Sequence, residues 1–468
     1  MVVSKADFID DQRIVSVLKN AKAVQSSAEV VRVIEKAALS EGLTPEETAV
    51  LLNVEDPALL ERIYRTAREI KEKIYGKRLV FFVPLYISDY CINNCVYCGY
   101  RRDSNFGRRK LTMDEIRNEV TVLEEMGHKR MAMECGEDPK NCPIDYVIEA
   151  LDTIYSVKQK KGCIRRVNVN IAATTVEDYK RLYSARIGTY ILFQETYHRP
   201  TYAKMHPSGP KNNYDWHTCA FDRAMAGGID DVGAGVLFGL YDYKYEVLAL
   251  LLHALHLEET GGVGPHTISM PRIRPAGGID LEKFPYLVSD QEFKKLVAII
   301  RLAVPYTGII LSTRETAELR DELISVGISQ LSAGSCTGVG GYYRENNEGR
   351  EAQRPQFKVE DCRSLDEVVA SVCRSGYIPS FCTACYRKGR TGDRFMPLAK
   401  TGKIQDMCQP NAILTLKEFL LDYAGPETRL GGEQAIMKHL DQIANPKVRQ
   451  LTMKRLAQLE EGTRDLYF

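Results

Sequence analysis

The sequence predicts an α/β fold: a parallel (β/α)8 TIM barrel with an N-terminal helical extension and a C-terminal helical, cysteine-bearing domain. Two observations lead there. Eight short β-rich runs alternate with runs of helical period between residues 78 and 334, the order in which strand, helix and parallel strand build a barrel. The 468 residues also exceed the ~250 of an ordinary barrel by enough for an extension at each end.

Residues 7–75 read as helical. Apolar residues recur at three and four in Ile14, Val17 and Leu18 and in Val31, Val33, Ile34, Ala37 and Leu39, and Asp56-Pro57 opens a further amphipathic run, with proline at the first helical position where its missing N–H costs nothing. This lead-in, residues 1–77, is expected to close the bottom of the barrel. The barrel, 78–340, places strands at 78–88, 129–135, 165–173, 189–194, 231–240, 266–271, 307–313 and 329–334. Helices are expected at 112–127, 143–160, 175–186, 214–227, 243–260, 290–303 and 315–326. In such barrels the loops after the strand C-termini form the active face. Residues 341–363 are polar and marked by Gly and Pro and read as a linking loop. The remainder of 341–468 reads as a helix at 364–375, a cysteine-bearing segment at 381–408, and helices at 412–424, 427–443 and 446–461.

Composition excludes several classes. A formal net charge of +1 supplies no bulk attraction to nucleic acid or anionic membrane. No run approaches eighteen apolar residues, and the first twelve carry acids where a secretory signal has an apolar core. A cytoplasmic protein with no nucleic-acid or membrane partner is expected. In that reducing compartment the thirteen cysteines are not expected to form disulfides.

Cys91-Ile-Asn-Asn-Cys95-Val-Tyr-Cys98 follows the first strand. Three thiolates on one loop are one short of the usual complement of a 4Fe-4S cluster, leaving one iron open; a zinc loop lacking its fourth ligand is the competing reading. An open iron can chelate the amino and carboxylate groups of S-adenosylmethionine and deliver an electron to its sulfonium. In the C-terminal segment Cys382-Thr-Ala-Cys385 is followed by Cys408, again three donors and a vacancy. Either a second cluster or a zinc ribbon with a ligand from elsewhere fits that spacing, and the first motif favours the cluster. Arg387, Lys388, Arg390 and Arg394 nearby would offset its negative charge.

With Tyr97 before its last cysteine, the first loop resembles that of the radical S-adenosylmethionine superfamily. Cys135-Gly136-Glu137 stands where that superfamily has Gly-Gly-Glu, which receives the methionyl ammonium. Gly235-Val-Leu-Phe-Gly239-Leu-Tyr-Asp242 resembles its G-x-I-x-G-x-x-E stretch beside adenine, with Asp in place of Glu, and Glu195 and Arg199 in QETYHR are placed against the ribose or the methionine carboxylate. The loop together with 194–207, HTISMPRIRPA (266–276) and LSTRE (311–315) resembles the radical tyrosine lyases. The terminal C-x2-C-x22-C resembles their hydrogenase-maturation branch, since the thiazole-synthesis branch lacks that domain.

The resemblance implies cleavage of the Cα–Cβ bond of L-tyrosine to p-cresol and dehydroglycine, the latter degraded to carbon monoxide and cyanide for the FeFe-hydrogenase active site. It also implies an auxiliary 4Fe-4S cluster bearing an extra iron bridged by a free cysteine, with His266 as that iron's protein ligand. Arg272 and Arg274 are candidates for the carboxylate of dehydroglycine; Arg314 and Glu315 for the carboxylate and amine of tyrosine, assisted by Ser335 and Thr337. Implied partners are other hydrogenase maturases, the hydrogenase, and an electron donor such as ferredoxin or flavodoxin. Competing expectations are a thiazole-pathway lyase that stops at dehydroglycine and a non-catalytic iron-sulfur scaffold.

Overall fold

A computed structural model describes residues 4–23, 26–275, 279–349 and 355–468. Ala276, the last residue of the 266–276 motif, and residues 350–354 of the expected linking loop lie outside the described residues.

Eight parallel strands close a barrel: β1 (Arg78–Ser88), β2 (Arg130–Cys135), β3 (Arg166–Asn170), β4 (Tyr190–Glu195), β5 (Val232–Val236), β6 (Thr267–Ser269), β7 (Gly308–Leu311) and β8 (Gln330–Ser332). Each pairs with the next, and β1 pairs with both β2 and β8. The strand at 231–240 is shorter than expected because Gly239, at a φ of 113°, turns the chain out of the sheet. The helices between begin where the sequence supplies caps. Thr112 with Glu115 and Ser289 with Glu292 form capping boxes that satisfy the first free N–H groups.

β1 is buried along all eleven residues, as a barrel strand covered on both faces must be. Its period of two sends Val80, Phe82, Pro84 and Tyr86 into the barrel, where Val80 lines a cavity at the floor and the other three line one above it. Phe82, Ala132 and Ile310 pack together as an apolar layer at mid-height.

Two features of the extensions differ from expectation. The lead-in folds as α1 (Asp11–Ala23), α2 (Ser27–Ala38), α3 (Pro45–Leu52) and α4 (Pro57–Tyr75), but it packs on the barrel's flank, against the helices Tyr243–Gly261 and Asp290–Ala303. Only its last residue, Tyr75, reaches the floor cavity. The floor is instead covered by the C-terminal segment, whose β9 (Ile378–Ser380) joins the sheet beside Arg78–Val80 of β1. A three-residue strand containing Pro379 carries no periodic signal, and only its pairing with β1 defines it. The helix Leu365–Arg374 precedes β9, and Gln405–Asp422, Pro426–Asp441 and Pro446–Glu460 follow the cysteine segment. No helix among the described residues is long and apolar enough to cross a membrane.

Candidate active site and a second cysteine site

The upper cavity opens at the C-terminal mouth of the barrel. Cys91, Cys95, Cys98 and Tyr97 line it, with Gly136 and Glu137 beside them. The cysteine loop is fixed by backbone bonds from Ile92 N–H to the Glu137 carbonyl at 2.8 Å and from Val96 N–H to the Met205 carbonyl at 3.0 Å. Gly136 has no room for a side chain: a Cβ there would stand 2.3 Å from the Tyr90 carbonyl and 3.0 Å from Cys91 Cβ. Cys135, which precedes it, lines the cavity, and its thiol is hydrogen-bonded with that of Cys142.

Burial pushes the Cys95 thiol up to about 12 and that of Cys98 to about 11, so these sulfurs take thiolate form when a metal repays the desolvation. The three thiols share one cavity wall. Asn93 Nδ2 lies 3.8 Å from Cys91 Sγ and the Tyr100 N–H donates to Cys98 Sγ at 3.4 Å, contacts that suit cluster thiolates. Among the described residues no three His, Cys, Asp or Glu side chains gather closely enough to hold a single ion. Cys91, Cys95 and Cys98 would hold a 4Fe-4S cluster through three thiolates, leaving one iron open.

Glu195 ends β4 with φ at 67°, a strained value for a residue with a side chain. Its carboxylate accepts a hydrogen bond from Lys211 Nζ at 2.8 Å. Burial opposes the Lys211 charge, but Glu195 and the Cys95 thiol more than compensate and its pKa is raised. Lys211 escaped sequence reading because it lies far from the cysteine motif in the chain and only its loop brings it back.

Other expected residues stand elsewhere. Arg199 turns from the cavity to pair with Asp215 at 2.9 Å and stack on Tyr214. Gly235 and Gly239 do not line the cavity; Leu237 between them does. A Cβ at Gly235 would meet the Phe193 ring at 2.5 Å, so this glycine permits strand packing. Asp242, where the superfamily pattern has Glu, caps the helix Tyr243–Gly261 through the Lys244 N–H at 2.8 Å. Glu315 is 1 % exposed and points away, held by Arg272 and Arg274. Arg272 also donates to the Val288 carbonyl at 2.8 Å, whereas Arg274 lines the upper cavity with its Nε unpartnered. Ser335 Oγ is buried without a partner outside the cavity, whereas Thr337 lines it while donating to the Phe357 carbonyl at 2.8 Å.

Arg314 does face the cavity. Its guanidinium lies 3.4 Å from the centre of the Phe357 ring. Across from it, on β2, stands Glu134, a residue the sequence reading passed over inside an apolar strand. Burial raises the Glu134 carboxyl to about 7 against the opposing effects of Tyr86 and Arg314.

The floor cavity gathers Cys382, Cys385, Cys408 and His266. Hydrogen bonding between the Cys385 and Cys408 thiols holds Cys408 down and Cys385 up. His266 is pushed down by burial, so its imidazole is neutral, and its Nδ1 has no partner; a neutral imidazole is the ligand form. Of the four basic residues expected beside this triad, Arg390 alone lines its cavity. Arg387 pairs with Asp465 at 2.6 Å, Lys388 lies over the Tyr467 ring, and Arg394 is exposed. Arg78 and Arg130, from the barrel itself, take their place.

A parallel barrel with an open cysteine triad at its C-terminal mouth defines a radical S-adenosylmethionine enzyme. A structure described as HydG, a maturase of the [FeFe]-hydrogenase, is 62 % identical, with a TM-score of 0.96 over 99 % of this chain and 100 % of that one. The chain belongs to the HydG family of [FeFe]-hydrogenase maturases. HydG from Carboxydothermus hydrogenoformans is 38 % identical, with a TM-score of 0.81 over 95 % and 99 % of the two chains. The 2-iminoacetate synthase of Escherichia coli is 29 % identical over 74 % of this chain and 89 % of its own. Residues 269–378 match the Biotin and Thiamin Synthesis associated domain.

Proposed function

We propose that the protein is a lyase that cleaves the Cα–Cβ bond of L-tyrosine to p-cresol and dehydroglycine and converts the latter to carbon monoxide and cyanide for the FeFe-hydrogenase active site. The observation that carries this reading is the pair of cysteine triads facing two cavities of one barrel, with His266 beside the second. When bound, the upper cluster and S-adenosylmethionine supply the radical that begins the reaction.

In the upper cavity Arg314 and Glu134 offer opposite charges across a space walled by Phe82, Ile310 and Phe357. A zwitterionic amino acid is held by such a pair, its carboxylate on Arg314 and its ammonium on Glu134, which takes the role expected of Glu315. Glu137, Glu195 and Lys211 stand beside the cysteine loop and are assigned to S-adenosylmethionine, with Tyr97 against it; orientation of the two substrates decides rate because small displacements cost large factors. Apolar walls keep water from the reacting atoms. On the floor, Cys382, Cys385, Cys408 and His266 would hold the auxiliary cluster with its extra iron and bridging free cysteine. A ferredoxin or flavodoxin supplies electrons, and other maturases and the hydrogenase receive the product.

The test is an anaerobic assay of the reconstituted protein with dithionite, S-adenosylmethionine and tyrosine. p-Cresol, carbon monoxide and cyanide together are expected. p-Cresol with glyoxylate alone would make the protein a lyase that stops at the imino acid, and absence of 5′-deoxyadenosine would remove the radical reading.

A further inference from the structure

Buried arginines in this chain are ordinarily satisfied. Arg165 pairs with Glu418, Arg272 with Glu315 and Arg320 with Asp361, while Arg301 donates to the carbonyls of Pro305, Thr307 and Gly327. Arg78 and Arg130 on the floor are exceptions. They are 9 % and 6 % exposed, and Arg78 lies 5.9 Å from the centre of the Tyr75 ring and Arg130 5.5 Å from that of Tyr386. Arg130 gives one Nη to the Cys382 carbonyl at 3.2 Å. Among the described residues neither makes an ion pair with a carboxylate. Asp231, whose carboxylate is buried without a hydrogen-bond partner, acts on His266 and Arg166, and the third floor arginine, Arg390, donates to the Phe468 carbonyl at 2.9 Å. Burying an unpaired guanidinium is costly, so a partner is required.

The thiols of Cys382, Cys385 and Cys408 are part of it, and they raise the Arg78 pKa against the cost of burial. They are not enough. Three thiolates on a doubly positive 4Fe-4S core leave a single net negative charge, against two guanidinium groups. One positive charge remains, carried on planar donors suited to a carboxylate.

We propose that Arg78 and Arg130 form a carboxylate-binding subsite on the barrel floor for a small α-imino or α-oxo acid, beside Cys382, Cys385, Cys408 and His266. It rests on the reading above that a two-carbon imino acid is consumed in the lower cavity, and it takes the role expected of Arg272 and Arg274, neither of which lines that cavity. The floor cavity is small and lined by Val80, Gly308 and Gln330, so long side chains are excluded.

The experiment uses the holoprotein with both clusters reconstituted and glyoxylate as the probe. Binding is read by titration calorimetry and by the electron paramagnetic resonance signal of the auxiliary cluster, in an Arg314→Met background that removes the upper-cavity guanidinium. Glyoxylate is expected to bind and to perturb that signal. Arg78→Met and Arg130→Met should each weaken binding about tenfold or more, the loss typical of a charge-assisted contact, with Arg78→Lys in between. In the Arg314-containing protein the same floor substitutions should lower carbon monoxide formed per p-cresol and raise glyoxylate per p-cresol. If iron is lost from the Met variants, Arg78→Lys decides: glyoxylate affinity equal to that of the parent overturns the subsite, as does unchanged affinity in iron-replete Met variants. The binding arm needs no turnover, so failure of tyrosine cleavage is a separate result.

Discussion

Arg130 and Glu134 stand on the same inward face of β2, four residues apart, and line different cavities. At about 3.3 Å per residue they are separated by roughly 13 Å. Between them Ala132 joins the apolar layer with Phe82 and Ile310. One strand thus carries a cation to the floor and a carboxylate to the mouth, and its period of two guarantees that both point inward.

The upper carboxylate is the first test. Glu134→Gln and Arg314→Met should each raise the KM for tyrosine by about 10- to 100-fold, the cost of one hydrogen bond to a charged group. S-adenosylmethionine affinity, measured in parallel, should change far less. Equal losses of both affinities would show that these residues shape the whole cavity.

Glu134 also sets a pH dependence. Its carboxyl is raised to about 7 by burial, and the groups that face it are Tyr86 and Arg314. The carboxylate form, which receives an ammonium, is complete above that value and lost as pH falls through it. The KM for tyrosine should therefore rise below about pH 7 in the parent protein, and Glu134→Gln should remove that rise. A KM independent of pH between 6 and 8 would contradict the assignment.

At the cluster loop, Gly136→Ala places a Cβ 2.3 Å from the Tyr90 carbonyl. The nearest atoms are the Tyr90 backbone and the Cys91 Cβ, neither of them the end of a flexible side chain. The expected result is loss of the upper cluster, read as roughly half the iron per chain, with the auxiliary signal retained.

For the floor, Cys382→Ser with Cys385→Ser should abolish carbon monoxide while p-cresol formation continues. Loss of both products together would mean that this segment mainly supports the barrel.

Glu315 gives a prediction about stability. Glu315→Ala removes the buried carboxylate shared by Arg272 and Arg274 and leaves Arg272 only Asp290 at 2.8 Å; removing one partner of a buried ion pair costs about 3–5 kcal/mol. Thermal unfolding should fall accordingly. A shift in tyrosine KM without destabilisation would return Glu315 to the substrate site.

Much of this was legible in the chain. Alternating β-rich and helical runs predicted the barrel, because strand and helix periods are local properties. Cys91, Cys95 and Cys98 were readable since all three ligands fall within eight residues. Glu134 was hidden in an apolar run, and Glu315 next to Arg314 looked equally available. Arg314 and Glu315 both lie in the turn after β7, where no strand period sets a side chain's direction, and only their neighbours show which of them faces the cavity.

The sequence by itself determined the barrel, the two triads and the chemistry they admit, since each depends on residue types at short spacing. The tertiary structure decided which charges are free to act. Arg199, Arg272 and Glu315 are spent on partners distant in the chain, whereas Glu134, Lys211, Arg78 and Arg130 reach the cavities, and Arg274 lines the upper one while pairing with Glu315. A buried charge takes its role from what lies within a few ångströms of it, and residues tens or hundreds of positions away supply those neighbours.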